Sequence, residues 1–389
     1  VFGFLGRRLH GRVIEESTFN GAAEEATLGS GRALDRHRAA ALREAPARPN
    51  DGSRQRERLL RESGSAGDHR LGSPGHPPAG LRRRRPACDN LGRRGPGAAR
   101  SGPERAVLRT VVATRYVTPL REGGSLPAVV EGDDDGTWVA KFRGAGQGPK
   151  ALVAEVLAGE LARALGLPMP ELVLLELDPA LAAAEPDFEV QELLERSPGL
   201  NLGMDFLPGA LPLAAPGLAG IPPGLAADVV WFDAFVSNVD RTPRNPNMLL
   251  WHRRLWLIDH GAALYVHHGW NDDRAAIVAQ GAGRFPAIRD HVLLPVAGAI
   301  PEADGRLADK LDEAAIRGVV DLVPDAWLDG VGPFATPADH RAAYADYLLA
   351  RLAPPRPWLE EAEAARLAGP SAEASQVAAQ AAGRGRTRG

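Results

Sequence analysis

Residues 235–250 read FVSNVDRTPRNPNMLL, and after a short basic turn residues 255–261 read LWLIDHG. The first stretch sets an acid, Asp240, five positions ahead of an amide, Asn245, and runs directly into the apolar segment MLLW at 248–251. A loop carboxylate can accept the proton of a hydroxyl group. An amide oxygen beside it is a hard ligand of the kind magnesium takes together with water and phosphate oxygens. The second stretch delivers another carboxylate, Asp259, at the end of an apolar strand, 19 positions after Asp240. With the basic turn His252-Arg253-Arg254 between them, MLLW and LWLIDHG read as two short strands. A plainer reading stays open at each position, since Asp240 and Asn247 can cap backbone groups of a polar turn and Asp259 can initiate one. Asn247 also rivals Asn245 as a ligand, because it directly precedes MLLW. His260 is expected to make only a local hydrogen bond, and the pair His267 and His268 signals less still.

Upstream, residues 108–118 (LRTVVATRYVT), 127–132 (PAVVEG) and 137–142 (TWVAKF) read as strands of a small antiparallel sheet, with the loop REGGSLP between the first two. Residues 150–165 place apolar side chains on one helical face and stop at Gly166, and ELVLLELD at 171–178 is another strand. The chain contains lysine only at 141, 150 and 310 against 43 arginines. A lysine inside an apolar strand, on one face with Val139, was therefore not drawn from the background supply of cations. Lys141 on an inward face needs an anion, and Glu155 on the following helix can supply it. The competing reading is an edge-strand lysine with its ammonium in solvent. Gly123, Gly124 and Ser125 lie in the loop before that strand, where glycine backbone can approach phosphates closely and a serine hydroxyl adds a donor. Downstream, residues 225–238 read as an amphipathic helix, and 272–368 as helices bounded by prolines.

The net charge of -3 conceals two kinds of sequence. Residues 1–105 hold 21 arginines, no lysine and 12 acidic residues, while the remainder holds 25 basic against 37 acidic residues. The first stretch lacks a periodic apolar pattern and is expected to be disordered. Its composition is that of translated GC-rich DNA, and the first methionine is Met169. It is therefore read as a segment that need not be native coding sequence, and a nucleic-acid partner is not expected. The tail, 369–389, is expected to fray. A single cysteine, Cys88, excludes an intramolecular disulfide framework and a cysteine-based zinc site. No run approaches the roughly 18 apolar residues of a spanning helix, and no secretory signal is read, so a cytoplasmic location is expected.

Glycine loop, strand lysine, helix glutamate, Asp with Asn at +5 and strand-end Asp occur in one order along the chain. In that order residues 108–270 resemble the HipA-like kinases, which have a protein-kinase-like fold, and more distantly the phosphatidylinositol kinases. FVSNVDRTPRNPNMLL is similar to the HipA catalytic loop without a gap, and ALVAEVLAGELARALGL to its helix C region. The resemblance implies an α+β, bilobal fold with an N-lobe at 106–210 and a larger, mostly helical C-lobe at 211–368. It implies ATP and magnesium as cofactors, with Asp240 as base and Asn245 and Asp259 as metal ligands. Lys141 would contact the phosphates with Glu155 as its partner, under the loop Gly123, Gly124 and Ser125. The segment Asp205, Phe206 and Leu207 would hold the adenine by its place after the sheet. The expected activity is transfer of the γ-phosphate to a hydroxyl, with a protein serine or threonine favoured over a lipid or small molecule. A nucleotide-binding regulator without catalysis is the alternative, and the presence of Asp240 with both metal ligands favours the enzyme. The sequence departs from many protein kinases in the middle residue of Asp259-His260-Gly261.

Overall fold

The computed structural model describes residues 108–120, 126–183 and 185–369. The Arg-rich stretch 1–105, the tail beyond Gly369 and the loop with Gly123, Gly124 and Ser125 lie outside the described residues.

The chain opens with three antiparallel strands, β1 (Thr110–Pro119), β2 (Ala128–Gly132) and β3 (Thr137–Lys141), and then the helix α1 (Gly148–Leu165). Strand β4 (Leu172–Leu177) follows, then two short helices, α2 (Ala180–Ala183) and α3 (Phe188–Glu195), then β5 (Gly199–Asp205). What reads as a small antiparallel sheet closes into a barrel in the order β1-β2-β3-β5-β4, sealed by a parallel pairing of β1 with β4. Two irregularities in the β1–β2 register, at Ala113/Arg115 and Tyr116/Thr118, supply the extra twist that lets so few strands curl round. Alternation then sorts the side chains of β3. Trp138 and Ala140 pack inside the barrel with Val130, Val173 and Leu175, while Val139 faces the larger core shared with α1. Lys141 lies on the Val139 face. The barrel interior is tight at Gly203, where an added Cβ would sit 2.7 Å from Val173 Cγ2.

The second half begins with the two-residue strand β6 (Leu211–Pro212) and the helix α4 (Pro223–Phe235). It continues with β7 (Met248–Trp251) and β8 (Arg254–Leu257), which form a three-stranded sheet with β6. Helices α5 (Arg274–Gly281), α6 (Ile300–Leu307), α7 (Glu313–Val320), α8 (Pro337–Leu352) and α9 (Pro357–Ala368) complete it, with 3-10 turns between them. Proline stands in the first turn of α4, α6, α8 and α9, where its missing N–H costs nothing.

Helix α4 differs from its expected amphipathic character: Val229 to Phe235 are all buried. A helix apolar on every side is an interior helix, and α4 packs against α6, α8 and α9. It also ends at Phe235, three residues earlier than expected. Its last carbonyls are taken by the buried guanidinium of Arg351, which donates from Nε to Phe235 O (2.7 Å) and from Nη2 to Ala234 O (2.5 Å). Carbonyls at a helix end have no partner within the helix, so this side chain caps α4 just before the backbone turns left-handed at Ser237, φ 52°. Helix α1 is likewise buried over most of its surface. It is fastened to the segment after β7, through Lys150 Nζ to His267 O (2.8 Å) near its start and Leu257 N to Pro168 O (2.8 Å) just past its end.

Candidate active site

Lys141 and Glu155 are both buried, and the ammonium is ion-paired with Glu155 Oε1 and with Asp259 Oδ1 at 2.8 Å. Three elements far apart in sequence, β3, α1 and the turn after β8, thus meet at one cation. The other oxygen of Glu155 accepts the His260 N–H (2.9 Å). Asp259 has a left-handed backbone, φ 56°, which turns its carboxylate back toward the lysine instead of along the strand. It lies two residues beyond β8 rather than on it. Burial works against the Lys141 charge, but Asp259 and Glu155 outweigh it and hold the ammonium above its ordinary range. Burial would raise Asp259 too, yet the lysine charge holds it well below the usual carboxylate value. For Glu155 burial prevails over Lys141, and the Asp259 charge adds to it, so this group is pushed up. One cation shared by two carboxylates leaves negative charge in excess.

Asp240 sits on the adjoining loop. Its Oδ2 accepts from Asn245 Nδ2 (2.5 Å) and Asn247 Nδ2 (3.2 Å), and its own N–H donates to Asn238 Oδ1 (3.1 Å). Burial is the largest influence on its carboxyl and pushes it up, with the Asp259 charge in the same direction and the two amides against. The two acids are therefore close enough for the charge of one to act on the other.

Behind the loop lies a cluster the sequence reading missed. Asp233 of α4 is fully buried and accepts from Arg241 Nε (2.5 Å), Asn238 Nδ2 (2.9 Å) and His291 Nε2 (2.8 Å). His291 Nδ1 takes the Leu293 N–H (3.1 Å), so Nε2 carries the proton donated to Asp233. Burial opposes the Asp233 charge, but Arg241 and His291 hold it well below the carboxylate range. Arg241 continues the network to Asn247 O (2.5 Å), Ile258 O (3.4 Å) and His260 Nδ1 (3.1 Å). The guanidinium thus ties the loop carrying Asp240 to the segment carrying Asp259. His260 is fully buried, and burial with the Arg241 charge pushes it down to about 3, so its contacts are long-range ones of a neutral ring. That differs from the local hydrogen bond expected of it. The available signal was the lone acid in the apolar run VVWFDAF at 229–235.

The segment Asp205, Phe206 and Leu207 lies along a mainly apolar cavity of about 180 Å³, closed by Val139, Leu249 and Ile258. Val139 is two residues from Lys141 on the same strand face, which sets this cavity beside the lysine. Magnesium can be tested against the donors. Asp240 takes the N–H groups of both amides, which leaves the amide oxygens as acceptors, and Asn247 Oδ1 is buried with no partner among the described residues. Asp259 gives one oxygen to Lys141, and its side chain is 34% exposed. No group of three His, Cys, Asp or Glu suited to a metal occurs among the described residues. The donors therefore fit a hard cation that draws most of its ligands from water and phosphate, as magnesium does.

Comparison with solved structures finds similarity to a proinflammatory kinase of Helicobacter pylori, CtkA, at 12% identity over 66% of this chain and 98% of that one, with a TM-score of 0.41. It also finds similarity to the Golgi casein kinase, at 12% identity over 69% of this chain and 74% of that one, with a TM-score of 0.33. No curated protein sequence matches. The family model described as HipA-like kinase matches residues 114–360, and the chain belongs to that family.

Proposed function

We propose that this protein is an ATP- and magnesium-dependent kinase that phosphorylates a hydroxyl group, with a protein serine or threonine as the favoured acceptor. The observation that carries the reading is the meeting of Lys141, Glu155 and Asp259 at one point beside the loop of Asp240 and Asn245. In this reading residues 106–210 and 211–368 are two lobes with the site between them. The 180 Å³ cavity takes the adenine against Val139 and Leu249, with Asp205 to Leu207 at its edge. Lys141, held by Glu155, meets phosphate oxygens, and the loop with Gly123, Gly124 and Ser125 covers them. Asn245, with Asn247 as rival, and Asp259 would hold magnesium, which would neutralise charge on the phosphates. Asp240 orients the acceptor hydroxyl and takes its proton as the oxygen attacks the γ-phosphorus and ADP departs. Its carboxyl, pushed up by burial, is the better base for it. Catalysis here is positioning and charge neutralisation, without a covalent intermediate. Among the described residues no helix is long and apolar enough to cross a membrane, and a cytoplasmic setting is part of this reading.

The test is a thermal shift with millimolar ATP and magnesium together with transfer of labelled γ-phosphate to mixed protein substrates. A ligand bound only by the folded state raises its melting temperature. Absence of both signals would sink the kinase reading.

A further inference from the structure

The hairpin that joins the two acids of the site ends in the turn His252-Arg253, and both residues are left-handed, with φ of 48° and 63°. Such two-residue turns favour Asn-Gly because side chains resist this backbone. Here a histidine and an arginine occupy it and hold three basic residues, His252, Arg253 and Arg254, out from the surface. The side chains of Arg253 and Arg254 have no counter-ion among the described residues. That is notable in a chain whose acidic residues outnumber its basic ones after residue 105. The turn stands at the rim of a cavity of about 870 Å³ that also takes in Arg163, Leu225, Leu250 and Trp256. No Asp or Glu is among the described residues lining it. Trp256 also lines it, and its indole N–H is buried with no partner among the described residues.

The register adds a backbone feature. Trp251 pairs with Arg254 across the turn, which leaves the peptide groups of Leu255 and Leu257 facing away from β7. Leu257 N–H is taken by Pro168 O (2.8 Å), and the peptide group of Leu255 lies on that same side, toward the cavity it lines.

Cations without counter-ions among the described residues, an apolar floor with the Trp256 ring on it and a strand edge together suit an extended acidic segment. Its carboxylates would meet Arg253 and Arg254, its apolar side chains the floor beside the Trp256 ring, and its backbone the strand edge at Leu255. We infer that this cavity docks an acidic peptide segment of the phosphoacceptor protein, an assignment that rests on the kinase reading above. The position favours a role in presenting the acceptor, since β7 leads directly from Asn247 and β8 leads to Asp259.

The experiment probes the full-length chain against an immobilised library of random peptides, comparing wild type with the double variant Arg253→Glu, Arg254→Glu and with Arg253→Gln, Arg254→Gln. Wild type should select peptides enriched in Asp and Glu beside apolar residues, and the charge-reversed variant should lose that enrichment at least tenfold. Neither variant should change the melting temperature, because neither guanidinium has a partner to lose. Selected peptides should also move the Trp256 indole ¹H–¹⁵N signal, assigned through Trp256→Phe. No preference for acids, or an equal preference in both variants, overturns the docking site. So does a Trp256 signal that moves with inorganic tripolyphosphate and not with peptides, which would make this a site for free polyanions. A magnesium-ATP thermal shift without acidic selection overturns the docking site alone, whereas acidic selection with neither that shift nor γ-phosphate transfer upholds the cavity and overturns the kinase reading.

Discussion

Two buried ionic clusters are linked through His260, and they are built in opposite ways. Around Asp233 every charge is matched: one carboxylate receives Arg241, Asn238 and His291, and the acid and the guanidinium are fully enclosed. Around Lys141 the match is incomplete, with two carboxylates on one ammonium and Asp259 a third exposed. A buried pair that has all its partners holds one geometry, and removing a member leaves an uncompensated charge. A cluster with charge left over can exchange partners when another cation arrives. The first cluster fixes the positions of the loops, and the second, in the kinase reading, is where ligands bind.

That contrast can be broken from either side. Asp233→Ala should have the largest effect: Arg241 and His291 lose their acceptor, and stability should fall by about 3–5 kcal/mol in chemical denaturation. An intact denaturation midpoint would show that the enclosed cluster does not hold the loops. Next in size are the site acids, which should separate by function and not by stability. Asp240→Asn should lower phosphate transfer by about 10²–10⁴-fold while nucleotide titration stays near wild type. Asp259→Asn should weaken nucleotide binding only when magnesium is present. If Asp240→Asn loses the nucleotide and Asp259→Asn keeps it, the two roles have been exchanged. Lys141→Ala should destabilise the fold by less than Asp233→Ala, on the order of 1–2 kcal/mol, because Asp259 reaches water and Glu155, already pushed up, can take a proton. Its nucleotide-dependent thermal shift should shrink markedly, and a shift of wild-type size would remove Lys141 from the phosphate site.

The smallest effect lies away from both clusters, at His340. Burial, with the charges of Lys150 and Arg341, pushes its imidazole down to about 4, against the single opposing hydrogen bond to Leu328. The folded-state value is below the unfolded one of about 6.5, so the contribution is fully present above that pH and is lost as pH falls toward about 4. Its Nδ1 has no partner among the described residues, and its ring stacks on Tyr344 at 5.2 Å. His340→Phe should therefore keep the stack and flatten the fall in melting temperature across that window. A slope identical to wild type would assign the acid sensitivity to other groups.

The hairpin, the α1 helix and the strand with Lys141 were legible in the sequence because each announces itself within about twenty residues. The closing of the barrel was not, since it depends on Thr110 to Val112 pairing with Leu174 to Glu176, more than sixty positions away. Strand β5 and helix α3 were missed for a related reason: GLNLGMD at 199–205 carries two glycines and no β-branched residue, so its strand character comes from its neighbours in the barrel. The acids of the proposed site stood out by spacing, but Asp233, Arg241 and His291 did not, because their partners come from three separate segments. The extent of α4 was over-read by three residues, as nothing in VSN reveals that Arg351 will claim the carbonyls before it.

The fastening of α1 to the chain after β7 has a mechanical consequence. The helix is joined at its start through Lys150 to His267 O, at its middle through Glu155 to the His260 N–H, and just past its end through Pro168 O to Leu257. Three attachments along one rod remove its freedom to swing or roll as a lever by itself. Any motion that pulled Glu155 from Lys141 would have to unfasten residues 257–267 in turn, or else carry Asp259 along and move the strand of Lys141 instead. The displacement these bonds leave free is that of the barrel strands against α1, and a distance label pair spanning β2 and α1 should report it where a pair spanning α1 and β8 should stay constant.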